Sequence, residues 1–203
     1  MKTIIIKDYP DEKLGSYNPV YINIEKQKGK LFFERLNQVL SIINQKHDRT
    51  ELRCLKIEVE EDKTNFIATD GHRLGILTID FVMQEFESGV YEVISKNKIN
   101  IILKKVDLIY PDTNCLMTTE EQLREHFMVL TLNEDMQKKQ VLHQIMTKND
   151  KYINFDFMLD IPFLEFIYAE SIRTIILRND YFYYLIMPKE LRNIEHRGVK
   201  YGN

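Results

Sequence analysis

The sequence predicts an α+β fold in which antiparallel strands pair through hairpins and helices cover one face. Three observations predict it. Short apolar–polar alternations are joined by tight polar turns, as in "LRCLKIEVEEDKTNFIAT". Stretches with a helical apolar period interrupt them. The order strand, helix, strand, strand then occurs twice, near residues 20–80 and 151–188.

The elements follow in order. Val20 to Ile24 is a short strand, and residues 28–45 form a helix with an apolar stripe of Leu31, Leu36, Leu40 and Ile43. Lys28, Lys30 and Arg35 fall on or near its wetter side. Leu55, Ile57 and Val59 alternate with Lys56, Glu58 and Glu60, which is a half-buried strand. "TNFIAT" pairs back on it as a hairpin, and "RLGILTID" and "GVYEVIS" are further strands. "KNKINIILKK", residues 96–105, is expected to be a short helix with Ile99, Ile102 and Leu103 inward. Tyr110 stands before Pro111 and is therefore extended. "FMVLTLN", "QVLHQIM" and "YINFDF" are expected strands, and "MLDIPFLEFIYAE" a helix whose Pro162 fits near its start. "IRTIILRN" and "YFYYLIMP" are strands joined at Asn179–Asp180. The expected division is one domain over 1–117 and a shorter one over 118–203.

Composition narrows the function classes. The 203 residues are 44% hydrophobic and 29% charged, with 28 Lys and Arg against 31 Asp and Glu, a net charge of -3. That balance does not describe a general polyanion binder, but it leaves room for a local basic face. Cys54 and Cys115 form neither a CxxC pair nor a disulfide framework, which suits a reducing, cytoplasmic compartment. No apolar run is long enough to span a membrane, and the apolar run at the start is too short for a signal peptide.

The unusual stretch is "IATDGHRLG", residues 67–75, which places Thr69, Asp70, Gly71, His72 and Arg73 between two strands. A carboxylate two residues from an imidazole suggests general acid–base work. No Ser or Cys stands beside the pair as a nucleophile, and Thr, Asp and Gly also suit a turn fastened by side-chain bonds. The five histidines show no metal-ligand spacing, and there is no Gly-rich phosphate loop. The expectation is a non-enzymatic protein without metal or cofactor. Lys28, Lys30 and Arg35 on one expected helix, and Lys96, Lys98, Lys104 and Lys105 on another, form two basic faces that suit non-specific contact with a phosphate backbone.

The motif carries a resemblance. "FIATDGHRLGILTI" resembles the middle domain of the bacterial DNA polymerase III beta subunit, the replicative sliding clamp. Upstream, "RTELRCLKIEVEEDKTNFIATDGHRL" matches that family without a gap. Downstream, "VYEVISKNKINIILKKV", "YPDTNCLM", "INFDFMLDIPFLEFI" and "YFYYLIMPKEL" resemble its later segments in the right order. The resemblance implies a DNA clamp architecture of β-α-β-β-β repeats, closed into a ring whose helices face duplex DNA. It implies a processivity factor whose partners, a polymerase and a clamp loader, dock short linear peptides. Carried over residue by residue, the peptide pocket would be Leu52, Thr69, Gly71, His72, Arg73, Leu74, Pro111, Leu116, Leu185, Met187 and Pro188. A homo-oligomer is implied: a trimer if each chain gives two domains.

The departures matter too. The family has three domains, and the match covers the middle and last. The final pocket methionine is Lys189 here, and the last expected helix carries Asp156, Asp160, Glu165 and Glu170. Such a helix would repel phosphates. The alternative is therefore a clamp-like adaptor or competitor that binds clamp-associated peptides without encircling DNA.

Overall fold

In the computed structural model the described residues are 3–7, 20–21, 26–83, 86–96, 100–117, 122, 127–131, 151–152, 157, 159, 165–169 and 174–190. The chain divides into two compact units, 1–113 and 114–203.

The first unit contains strands β1 (Thr3–Lys7) and β2 (Val20–Tyr21), helix α1 (Lys26–Leu40), a 3-10 turn at Thr50–Arg53, and strands β3 (Cys54–Val59), β4 (Thr64–Thr69), β5 (Arg73–Ile79), β6 (Gly89–Lys96) and β7 (Asn100–Val106). Its sheet runs in the order β2-β1-β7-β6-β3-β4-β5. Every pairing is antiparallel except the short one between β1 and β2. Phe32, Phe33, Leu36, Val39 and Leu40 of α1 are buried. Their i, i+3, i+4, i+7 spacing puts them on one helical face, which packs against β4 and β5. An aromatic row continues the core from that face. Ring centroids lie 5.4 Å apart for Phe32–Phe66, 5.3 Å for Phe66–Phe86 and 6.5 Å for Phe86–Tyr91.

Helix α1 has no basic residue in its own last turn. Two remote cations cover its end instead. Lys96 Nζ donates to the Leu40 carbonyl at 2.9 Å, and Arg73 Nη2 donates to the Ser41 carbonyl at 3.3 Å. These carbonyls are the acceptors a helix terminus leaves open, and they carry its negative dipole end.

The second unit holds β8 (Phe127–Thr131), β9 (Lys151–Tyr152), β10 (Glu165–Ala169), β11 (Ile175–Arg178), β12 (Phe182–Ile186) and β13 (Lys189–Glu190). Strands β12-β11-β10-β8 are consecutive neighbours, all antiparallel, and β9 pairs with β13. Asn179 Oδ1 accepts from the amides of Tyr181 and Phe182, which closes the β11–β12 turn. Phe166, Ile167, Ile175, Ile176, Leu177, Phe182, Tyr184, Leu185 and Ile186 are buried.

The structure corrects several expectations. The helix expected over 96–105 is the end of β6 and strand β7. Lys96 therefore lies on one strand and Lys104 and Lys105 on the next, while Lys98 lies outside the described residues. Ile101 and Leu103 are fully buried with a period of two, and β7 has β1 and β6 on its two sides to complete its ladder. That long-range pairing overrides a local pattern that also fits a helix. The last expected helix contains β10, paired on both sides. Its Glu165 meets the guanidinium of Arg178, its register partner on the adjacent strand β11. Asp156, Asp160 and Glu170 lie outside the described residues, so the repulsive acidic helix face has no counterpart among them. Helix α1 begins and ends earlier than the expected 28–45, and β1 was not anticipated. The expected strand "QVLHQIM" lies outside the described residues.

Candidate functional site

The 67–75 stretch forms the tight connection between β4 and β5. Asp70 Oδ1 accepts from the amides of His72 and Arg73, both at 3.0 Å. Its Oδ2 accepts from Arg73 Nε at 2.9 Å. Thr69 Oγ1 donates to the Arg73 carbonyl at 2.8 Å and accepts from the Gly71 amide at 3.2 Å. Gly71 takes φ of +83°, where an L side chain is strained. The Asp70 and Arg73 side chains are only 10% and 12% exposed, so their ion pair is largely shielded from water.

A second brace comes from far along the chain. The Tyr110 hydroxyl accepts from the Thr69 amide at 3.1 Å and donates to the Ile67 carbonyl at 3.4 Å. The β3–β4 register is in place at Lys56↔Ile67, and the phenol continues the ladder beyond it. Burial raises the Tyr110 pKa, so the phenol stays protonated and can donate. Sequence reading placed Tyr110 as extended and gave it no role. Its position before Pro111 was the available signal, but the contact across 41 positions was not visible.

What the turn presents outward is small. Gly71 and His72 are exposed, whereas Leu52, Thr69 and Leu74 are buried. A Cβ at Gly71 would lie 3.9 Å from Leu52 Cδ1, so the leucine sits directly beneath the turn. The Arg73 guanidinium is committed to Asp70 and to the Ser41 carbonyl. Pro111 and Leu116 are half-buried in the segment after β7. In the second unit Leu185 is buried, and Met187 and Pro188 are half-buried just past β12.

The carboxylate–imidazole pairing suggested by sequence does not form. Both Asp70 oxygens serve the turn and Arg73, and neither bonds the His72 ring. Among the described residues, no group of three or more His, Cys, Asp or Glu side chains could hold a metal ion. No described helix is long and apolar enough to cross a membrane.

The residues expected to face DNA are dispersed. Arg35 is half-buried on α1; Lys28 and Lys30 lie on the same helix. Lys96 reaches the end of α1, and desolvation alone holds its pKa below the ordinary lysine value. Lys105 pairs with Glu87 at 2.9 Å. Lys104 is half-buried and stands opposite Glu92.

No protein-family model matches the sequence, and no curated protein matches it. Solved structures do. The chain is similar to the DNA polymerase sliding clamp from Pseudomonas aeruginosa, with a TM-score of 0.50 and 14% identity over 80% of this chain and 65% of that one. Against a sliding clamp from the same organism bound to griselimycin, the TM-score is 0.52 with 15% identity over 91% and 69% of the two chains. Against the DNA polymerase III subunit beta from Borrelia burgdorferi, in complex with a natural product, it is 0.52 with 12% identity over 92% and 73%. The chain thus spans roughly two thirds of the length of these clamps. At such low identity the likeness concerns architecture, and it agrees with the antiparallel pairings and the TDGHRL turn: the chain has the α+β fold of the DNA polymerase III beta sliding clamps.

Proposed function

We propose that this protein is a non-enzymatic, sliding-clamp-like processivity factor that docks replication proteins through a short linear peptide at the TDGHRL turn and contacts duplex DNA non-specifically. The observation that carries the proposal is the turn itself. Six hydrogen bonds within residues 69–73 hold it, counting the Asp70 amide to the Arg73 carbonyl, and it offers an exposed glycine and histidine above buried Leu52. A rigid, nearly side-chain-free tip lets a peptide backbone approach closely, and a preorganised surface avoids ordering costs on binding. Leu52 and Leu74 would supply the apolar floor, with His72 at the rim.

Calorimetry with a clamp-binding peptide from a bacterial replicative polymerase tests this reading. The expected result is saturable binding that His72→Ala weakens by about tenfold or more, or about 1.4 kcal/mol, without lowering the melting temperature. Absence of binding to the intact chain would overturn it.

A second reading is the adaptor that binds such peptides without encircling DNA. The altered position of the lysines favours it: Lys96 and Lys105 are committed within the first unit, and the described residues of 96–105 belong to strands β6 and β7. Fluorescence anisotropy on a labelled duplex separates the two. Affinity that falls steeply with salt supports DNA contact. Peptide binding without duplex binding supports the adaptor.

A further inference from the structure

The tip of the TDGHRL turn is held from beneath by a residue that is itself buried. β4 keeps β5 as a neighbour as far as Thr69↔Leu74, whereas its pairing with β3 ends at Lys56↔Ile67. Among the described strands, the last two residues of β4 therefore have a neighbour on one side only. Tyr110 fills the other side: its hydroxyl accepts from the Thr69 amide at 3.1 Å and donates to the Ile67 carbonyl at 3.4 Å. Ile67 and Thr69 are 3% and 5% exposed, so water has little access to take the place of the phenol.

Thr69 carries this anchorage outward. Its hydroxyl donates to the Arg73 carbonyl and accepts from the Gly71 amide. One residue thus joins the buried phenol to the exposed Gly71–His72 tip. Arg73 ties the later limb of the turn to the Ser41 carbonyl, and Tyr110 is the corresponding anchor of the earlier limb.

We infer that Tyr110 is a positioning residue for peptide docking: its hydroxyl sets where the Gly71–His72 tip stands, and so governs affinity without touching the peptide. The inference rests on the docking reading of that turn and adds to it a residue outside the docking surface. Binding constellations must be held within about 0.5 Å of their productive geometry. Without the hydroxyl, the Thr69 amide and the Ile67 carbonyl lose that partner in a buried place, and the end of β4 must shift to satisfy them. The tip moves with it through the Thr69 hydroxyl.

Tyr91 supplies a matched control. Its ring is also buried, and its hydroxyl also serves one amide and one carbonyl, those of Glu87, at 3.4 and 2.8 Å. Glu87 lies away from the turn. The adjoining Ser88 accepts from the Val59 amide, and Val59 pairs with Thr64 at the opposite end of β4.

The test is calorimetry on the intact chain with a clamp-binding peptide from a bacterial replicative polymerase, together with amide hydrogen exchange read by NMR. Tyr110→Phe keeps the ring and is expected to weaken the peptide by about tenfold or more. Tyr91→Phe, with a comparable drop in melting temperature, should stay within about twofold of wild type. The Thr69 amide should exchange slowly in the wild-type chain and about tenfold or more faster in Tyr110→Phe. Wild-type affinity in Tyr110→Phe, or an equal loss in Tyr91→Phe, overturns the inference and leaves the docking reading standing. Fast exchange of the Thr69 amide in the wild-type chain also overturns it, whatever the variants do. If the wild-type chain binds no peptide, the docking reading falls and the positioning role falls with it.

Discussion

Asp70 fastens three donors with one carboxylate: two amides and the Arg73 guanidinium. Removing it leaves a shielded cation and two amides to find water. Asp70→Ala should therefore cost about 2–4 kcal/mol in chemical unfolding, well above an ordinary surface substitution. A change below about 0.5 kcal/mol would show that the turn holds without it. Cys54 gives a pH signature. Its thiol is raised to about 11 by burial, so the folded state keeps the proton longer than the unfolded chain does. The contribution is fully present below the ordinary thiol pKa near 9 and is lost as pH rises from there towards 11. Urea titrations should show wild type losing more stability than Cys54→Ala between pH 8 and pH 10.5, by about 1–2 kcal/mol. Parallel curves would argue that the thiol is not the group responsible.

At the level of elements, the β6–β7 pair depends on a glycine. Gly89 has φ of +155°, and a Cβ there would stand 2.7 Å from Lys105 Cε, whose amine is tied to Glu87. Gly89→Ala is expected to cost about 1–2 kcal/mol. Adding Lys105→Ala should recover the crowding but not the backbone strain. A double-mutant cycle with no coupling would contradict that division. The same pair shows what sequence can and cannot reveal. β3, β4 and β5 were legible because Leu55, Ile57 and Val59 alternate with charges and short turns join neighbouring strands. β7 was misread because one of its two partners comes from far away: Ile4 and Ile6 of β1 pair with Leu103 and Ile101. β10 was misread for a related reason, since "FLEFIYAE" is too short for periodicity to separate strand from helix. In the candidate site, Thr69, Asp70 and Gly71 announced a turn. The attachment of Arg73 to Ser41 and of Thr69 to Tyr110 did not show, because no local pattern encodes a contact across the fold.

For the whole molecule, the clamp fold sets the expectation of self-association, since sheets with open edges need partners or protection. Light scattering on the intact chain should give a discrete oligomer whose mass does not drift with concentration. A monomer at high concentration would favour the adaptor reading. Lys105→Ala should leave any duplex affinity within about twofold, because its amine already serves Glu87. A tenfold loss would return that lysine to the DNA face.

The place of β1 in the sheet has a consequence for how the protein is made. Ile4, Ile5 and Ile6 are made about a hundred residues before their antiparallel partners, which are Leu103, Ile102 and Ile101 at the far end of the unit. Until β7 is synthesised, an apolar strand waits without that neighbour while α1 and the β3–β4–β5 meander can already assemble. Closure of the unit is thus a late, long-range event in its biogenesis, and the waiting isoleucines are where a chaperone would be needed most.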